Sequence, residues 1–245
     1  MLNKSKEKSI IFTSNFDTLE EFYPTPATLN IPKWYKDLNS YIGGKKIPTT
    51  DGTTRATIKR CMPVFDSITS GYILYTYADI YVSQDEQKCE NGDIIKNPFY
   101  SWSFNNVIDF HPIEQAPTHP NRNGHNVSYP KFINPWAIKT PKGYSTLFTQ
   151  PFHRDLPFTI LPGIVDTDAY YSPVNFPFVL NDVNFEGIIP AGTPMAQLIP
   201  FKRDSWKMSF GSEEDFKEQK KITDLIRSNF FDAYKNRFRQ KKEYR

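Results

Sequence analysis

The sequence predicts a mainly β protein, a sandwich or barrel of short strands, with a short N-terminal helix and a long amphipathic helix at the C-terminus. Three observations carry that expectation. Between residues 57 and 201 short apolar runs alternate with breaks containing Pro or Gly, the rhythm of strands in a layered or closed sheet. Twenty prolines against 11 glycines keep much of the chain extended, because a Pro fixes its own φ and biases the residue before it away from helix. Only near residue 213 does the apolar period change to three and four.

Taken in order, the first expected element is a helix from Ile31, with Asn30 as its cap, Pro32 in its first turn, and Trp34, Tyr35 and Leu38 on one side. Gly43 and Gly44 end it. Residues 45–55 are polar and read as a loop. Residues 57–64 and 71–82 read as strands, with 60–66 as the hairpin partner of the second. Its phrase Gly-Tyr-Ile-Leu-Tyr-Thr-Tyr-Ala-Asp-Ile-Tyr-Val is rich in β-formers on both faces. Asn91-Gly92 is a hairpin turn dipeptide. Residues 101–110 alternate, with Trp102, Phe104, Ile108 and Phe110 expected on the buried face. Residues 111–131, with four prolines, read as a long loop of the kind that often carries function. Further strands are expected at 144–149, 158–161, 174–180, 185–189 and 195–201.

The last helix opens at Ser212 as cap, with Glu213, Glu214 and Asp215 favouring the positive end of its dipole. Ile222, Leu225, Ile226, Phe230, Ala233, Tyr234 and Phe238 form its apolar stripe. That stripe must be covered, by the strand domain or by a second copy of the chain. The organisation expected is one β-rich domain over residues 1–211 and a helix with a basic tail over 212–245. The tail after Phe238 carries no stripe and reads as solvated cations, dispensable for folding.

Composition bounds the function. Of 245 residues 38% are hydrophobic, but 16% are aromatic, and rings that each bury a large area can build a core with few aliphatics. A net charge of +3 is too small to imply a polyanionic partner. Cys61 and Cys89 have no CxxC spacing and read as buried thiols in a reducing compartment. No apolar run approaches the ~20 residues that span a bilayer, and the charged start reads as no signal peptide. A cytoplasmic or virion location is expected, with no membrane partner.

The richest stretch for chemistry is 161–201. It holds Pro162-Gly-Ile-Val-Asp166-Thr-Asp168-Ala-Tyr170-Tyr171 and, later, Gly187-Ile-Ile-Pro-Ala-Gly-Thr-Pro-Met195-Ala-Gln197-Leu-Ile-Pro-Phe201, with Gly143-Tyr-Ser145-Thr-Leu147 upstream. Together these resemble the dUTPase and dCTP deaminase family, in which a G-x-I-D hairpin precedes a G-x-x-I-A-Q-L strand. The resemblance implies a β-clip-like or jelly-roll-like fold and a nucleotide ligand. It implies that Asp166 activates water or holds a sugar, that Ser145 contacts phosphate, and that Asp168, Tyr170 and Gln197 line the site. The sequence departs from the family where Tyr-Arg-Gly should follow the aspartate, since Ala169-Tyr170-Tyr171 carries no arginine. Tyr144 stands where a basic residue should precede Ser145, 174–180 has no glutamate for acid–base work, and no Gly-rich arm closes the chain.

Two other patterns offer a metal. His111, Glu114 and His119 supply the donor types of a two-histidine, one-carboxylate site, or equally serve as loop side chains bonded to backbone. Ile188-Ile-Pro-Ala-Gly-Thr-Pro194 looks like the second cupin motif, with Met195 where that family keeps a histidine. A broader similarity runs through Pro32-Lys-Trp-Tyr-Lys-Asp-Leu38, residues 60–72, His111-Pro-Ile-Glu-Gln115, Asn134-Pro-Trp-Ala-Ile-Lys-Thr-Pro-Lys-Gly-Tyr144 and 166–201. These phrases resemble an uncharacterised protein family of tailed phages, particularly of marine bacteria, and of some bacteria. The reading that results is a non-enzymatic binding or structural β protein of phage type. Its expected partners are a second copy met through the C-terminal helix, another phage or host protein, or a small-molecule or nucleotide ligand. The alternatives are a diverged nucleotide-binding protein and a cupin-like metal enzyme. No cofactor is assigned.

Overall fold

A computed structural model describes residues 8–15, 20–46, 55–88, 90, 92, 94–102, 106–115, 129–228 and 232–245. It is mainly β, with several antiparallel sheets and a helical C-terminus. The chain forms two compact units, one of Met1–Thr25 with Gly71–Arg203, the other of Pro26–Ser70 with Asp204–Arg245. Residues 26–70 therefore group with the C-terminal segment.

The first unit holds the sheets. Its strands run β1 (Ile11–Thr13), β2 (Thr25–Pro26), β3 (Tyr72–Tyr75), β4 (Ile80–Lys88), β5 (Ile94–Trp102), β6 (Ile108–His111), β7 (Tyr129–Phe132) and β8 (Ala137–Lys139). They continue as β9 (Tyr144–Thr149), β10 (Phe158–Ile160), β11 (Gly163–Val165), β12 (Phe176–Leu180), β13 (Gly187–Ile189) and β14 (Pro194–Lys202). The chain passes to the second unit within β2. Among the described residues four sheets result, ordered β11-β9-β14-β3-β2, β10-β12-β7-β6, β13-β4-β5 and β1-β8.

The aromatic content becomes the core of this unit. Phe132 stacks on Phe178 with ring centroids 4.0 Å apart, and Phe158 meets Phe132 edge-on at 4.8 Å. Tyr100 caps Phe178 edge-on. Such pairs add about 0.5–1.5 kcal/mol each beyond the area they bury. Trp136 is buried below the phrase Asn134-Pro-Trp. There the buried Asn134 side chain donates to the Trp136 carbonyl and accepts from its N–H, while Asn175 accepts from the Asn134 N–H. These three hydrogen bonds close a buried turn at Asn134.

Gly71 enters β3 at φ +73°, and a Cβ there would lie 1.7 Å from the Leu198 carbonyl oxygen. Only glycine fits, both for the backbone conformation and for the approach to β14.

Several expected strands are present with shifts of a residue or two, at 144–149, 158–160, 176–180, 187–189 and 194–202. β4 and β5 pair antiparallel in register Lys88↔Ile94, and Asn91 of the expected turn dipeptide lies outside the described residues. Others are corrected. The 71–82 run breaks at Thr76 to Asp79, because the Thr76 N–H and hydroxyl turn away to the Thr193 and Pro190 carbonyls. The 101–110 run is two strands in two sheets, β5 ending at Trp102 and β6 beginning at Ile108. Trp102 is half-buried, Ile108 buried and Phe110 exposed, while Phe104 lies outside the described residues. The loop expected over 111–131 starts in a strand at His111 and ends in β7, and 116–128 lie outside the described residues.

The second unit is helical. Where a strand was expected over 57–64, the chain makes a short 3-10 turn and then α2 (Met62–Thr69), after α1 (Lys33–Asp37). Pro63 decides this locally, since a proline in the first turn forfeits only an N–H that has no helical partner. Ser67, Thr69 and Ser70 then return their hydroxyls to the Val64, Phe65 and Asp66 carbonyls, closing the helix end. α1 is shorter than expected because Leu38 turns extended, and Trp34 is exposed while Tyr35 is buried. Cys61, expected buried, is exposed; Cys89 lies outside the described residues.

The expected continuous C-terminal helix is α3 (Glu213–Ser228) and α4 (Ala233–Arg237), with Asp232 left-handed at φ 62° before α4. Ser212 does cap α3, exchanging hydrogen bonds with Asp215 through backbone and side chain. The stripe is not buried as expected: no described residue of α3 is buried, and of the stripe's described residues only Ala233 is, Phe230 lying outside them. Nor is the tail merely solvated. Arg239 makes a two-pronged contact to the buried Asp66 carboxylate at 2.6 and 3.0 Å, Lys242 reaches the same group at 3.0 Å, and Arg60 pairs with Asp232.

Candidate functional site

The three phrases that resemble the dUTPase family come together on neighbouring strands. Gly143 leads into β9, which carries Tyr144 and Ser145, β11 leads into Asp166, and β14 carries Met195-Ala-Gln197-Leu. β9 pairs with β11 through Leu147↔Ile164 and with β14 through Leu147↔Ile199.

Beyond β11 the chain turns sharply, with the Ala169 and Tyr170 N–H groups both donating to the Asp166 carbonyl. Within this turn Thr167 points inward. Its hydroxyl is buried between those of Thr140 and Thr146, at 2.7 and 2.8 Å. Anchored there, Thr167 leaves Asp166 to project from the surface, while Asp168 turns in against Arg203. Ser145, itself buried, donates its hydroxyl to Asp166 Oδ1 at 2.6 Å.

Arg203 completes the cluster. One of its terminal nitrogens donates to Asp168 Oδ1 at 2.7 Å, the other to Asp168 Oδ2 at 2.5 Å. The first also reaches Asp166 Oδ1 and Ser145 Oγ, each at 3.2 Å, and the Tyr144 carbonyl at 3.0 Å. A fork on a carboxylate is the strongest geometry a guanidinium makes. The Gly143 N–H donates to Asp168 Oδ2 at 2.8 Å. With Arg203 first and Gly143 second, these bonds hold the Asp168 carboxyl down at about 2 and push the guanidinium up. The Asp168 side chain is 7% exposed and that of Asp166 64%.

Of the residues expected to bind a ligand, Ser145, Asp166 and Asp168 are brought together. Gln197 is buried, and its Oε1 accepts from the Phe152 N–H at 3.0 Å, pinning the turn after β9. Tyr170 is exposed beyond the hairpin. Arg203 was missed. Its signal was in the register: pairing β9 antiparallel with β14 sets Lys202 opposite Tyr144, so the next residue falls beside Gly143, to whose carbonyl the Arg203 N–H donates.

Chemically the cluster is two carboxylates, one hydroxyl and one guanidinium whose two terminal nitrogens both donate to a carboxylate. It stabilises negative charge on Asp168 and joins the ends of three strands. The group nearest to a general base, Asp166, accepts from both Ser145 and Arg203.

Only part of the metal expectation falls on described residues. His111 ends β6 and Glu114 sits in a 3-10 turn at 113–115, while His119 lies outside the described residues. Among the described residues no group of three or more His, Cys, Asp or Glu side chains converges as a metal site. The cupin-like phrase is a turn between β13 and β14. Thr193 donates to the Pro190 carbonyl, Gly192 to that of Thr76, and Met195 is buried in the core.

Among the described residues no helix is long and apolar enough to cross a membrane. No protein-family model matches this chain, and no curated protein matches it.

Proposed function

We propose that the protein is a non-enzymatic binding or structural β protein of phage type, with a β-clip-like or jelly-roll-like arrangement of its sheets, acting in the virion or on a host component in the host cytoplasm. The observation that supports this reading is the commitment of Arg203. An enzyme of the resembled family needs a carboxylate free to work on water or sugar and a cation free to meet phosphate. Here the cation is spent on the carboxylates, and the cluster keeps a formal excess of one negative charge that repels a triphosphate.

The test is a direct assay of the purified chain with dUTP and dCTP beside a thermal-shift titration with the same nucleotides. Enzymes turn over at about 1–10³ per second, so release of pyrophosphate or ammonia is easily seen; none is expected. A nucleotide at a hundred times its Kd adds about 2.7 kcal/mol, which at this chain length moves the melting temperature by roughly 5–10 °C; no shift is expected. Turnover abolished by Asp166→Asn, or a saturable upward shift, sinks the reading.

One observation favours the second reading, a diverged nucleotide-binding protein. Arg203 stands beside Ser145 and Asp166, restoring in space the cation that this family keeps next to its serine. On that reading a phosphate displaces Asp168 from the guanidinium, and the same titration registers it.

A further inference from the structure

Residues 204–212 connect β14 to α3 and adopt neither helix nor strand. Within them Trp206, Met208 and Phe210 stand two apart, separated by Lys207 and Ser209, and are 92%, 83% and 90% exposed. Scattered exposed apolar groups need no explanation, but a row of three large ones does. α3 adds further exposed apolar groups. Phe216, Ile222 and Ile226 are exposed on it, and none of its described residues is buried. A helix of this length is marginal in water unless its apolar face packs on something.

We infer that this strip, residues 204–226, is the contact between two copies of the chain, formed by antiparallel pairing of α3 about a two-fold axis. Area supports a second copy. Aromatic side chains bury about 150–250 Å² each, so three of them together with Met208, Ile222 and Ile226 remove roughly 600–800 Å² per copy, near the ~800 Å² of a standard specific interface. Continuity supports it too, because the strip is one stretch of one unit and so faces its own equivalent across a two-fold axis. Charge fits the same arrangement. The first turn of α3 carries Glu213, Glu214 and Asp215 and its last turn Arg227, so antiparallel pairing sets acidic ends beside basic ends and opposes the two helix dipoles. The inference deepens the proposed binding role by naming its partner. It rests on residues other than the hairpin, so a monomeric result leaves the reading of Arg203 standing, and nucleotide turnover leaves the strip untouched.

The experiment is sedimentation of the full chain with reductant present, since the exposed Cys61 otherwise links copies on its own. A dimer at micromolar concentration is expected. Each aromatic truncated at the centre of an interface weakens association by about 30-fold, so Trp206→Ser with Phe210→Ser gives a monomer at the same concentration. Circular dichroism confirms that this variant is folded. Arg227→Glu weakens the dimer about fivefold, and adding Glu214→Arg restores it, which loss of folding would not do. A chain monomeric up to about 100 µM, a dimer indifferent to the two serines, or a monomer that binds vesicles through the same strip overturns the inference.

Discussion

Arg203 shows how one side chain is made necessary by the groups around it. Asp168 is close to buried, and a carboxylate in that position is tolerated only because the guanidinium and the Gly143 N–H neutralise it. Its pKa of about 2 lies below the ~3.9 of a free aspartate, so its stabilising effect is complete above about 4 and is lost as pH falls toward 2. Arg203→Gln removes the first and largest cause of that shift. In the variant the Asp168 carboxyl is expected to titrate nearer 4 by carbon-detected NMR, and acid unfolding to begin at a higher pH than in the parent; an unmoved titration refutes the contact. Gly71 makes the same point through space. Gly71→Ala combines a left-handed φ with a Cβ driven into the Leu198 carbonyl. A loss of about 3 kcal/mol or more in denaturant unfolding is expected, against a fraction of a kcal/mol at an ordinary turn glycine.

At the scale of elements, α2 and the C-terminal tail depend on each other. Burial alone raises the Asp66 carboxyl, but hydrogen bonds from Arg239 and Lys242 outweigh it and leave the group below its usual range. Deleting residues 239–245 strands that carboxylate inside the second unit, at a cost of about 3 kcal/mol. The expectation from sequence was the opposite, a dispensable tail. Denaturant unfolding of the truncated chain decides it, and an unchanged midpoint restores the original view. The error has a physical origin. A basic run after a stripe has the same local appearance whether its cations face water or a carboxylate 173 residues earlier in the chain. Strands 144–149 and 195–201 were legible because each is bounded by Gly or Pro and covered by its neighbours, so local preference and packing agree. Residues 57–64 were not, because β-formers there are overruled by Pro63 and by three hydroxyls that close a helix. The hairpin aspartates and Ser145 were legible as a motif. Arg203 was not, since its membership follows from strand register and from no spacing along the chain.

The whole molecule joins two units of unequal resources. The first buries a broad aromatic and aliphatic core across its sheets. Among the described residues of the second the buried apolar side chains are Ala27, Tyr35, Met62, Ile68 and Ala233, together with the Asp66 ion cluster, a modest store of burial set against its conformational entropy. The second unit is also discontinuous. Its two segments are joined only through the chain of the first, whose folded state holds their ends in place and lowers the entropy of closing so long a loop. Heating should therefore melt the helical unit first and the sheets at a higher temperature. Removing residues 239–245 should lower the first transition and leave the second. Phe178→Ala, which empties the centre of the aromatic core, should cost about 3–5 kcal/mol and lower the second transition by roughly 6–20 °C. If it falls far enough, the two transitions merge, because the second unit cannot outlast the unit that tethers it. Calorimetry with helix-specific circular dichroism separates these outcomes. A single transition in the parent chain, moved equally by both changes, means that the two units unfold as one and that their unequal cores do not govern the order.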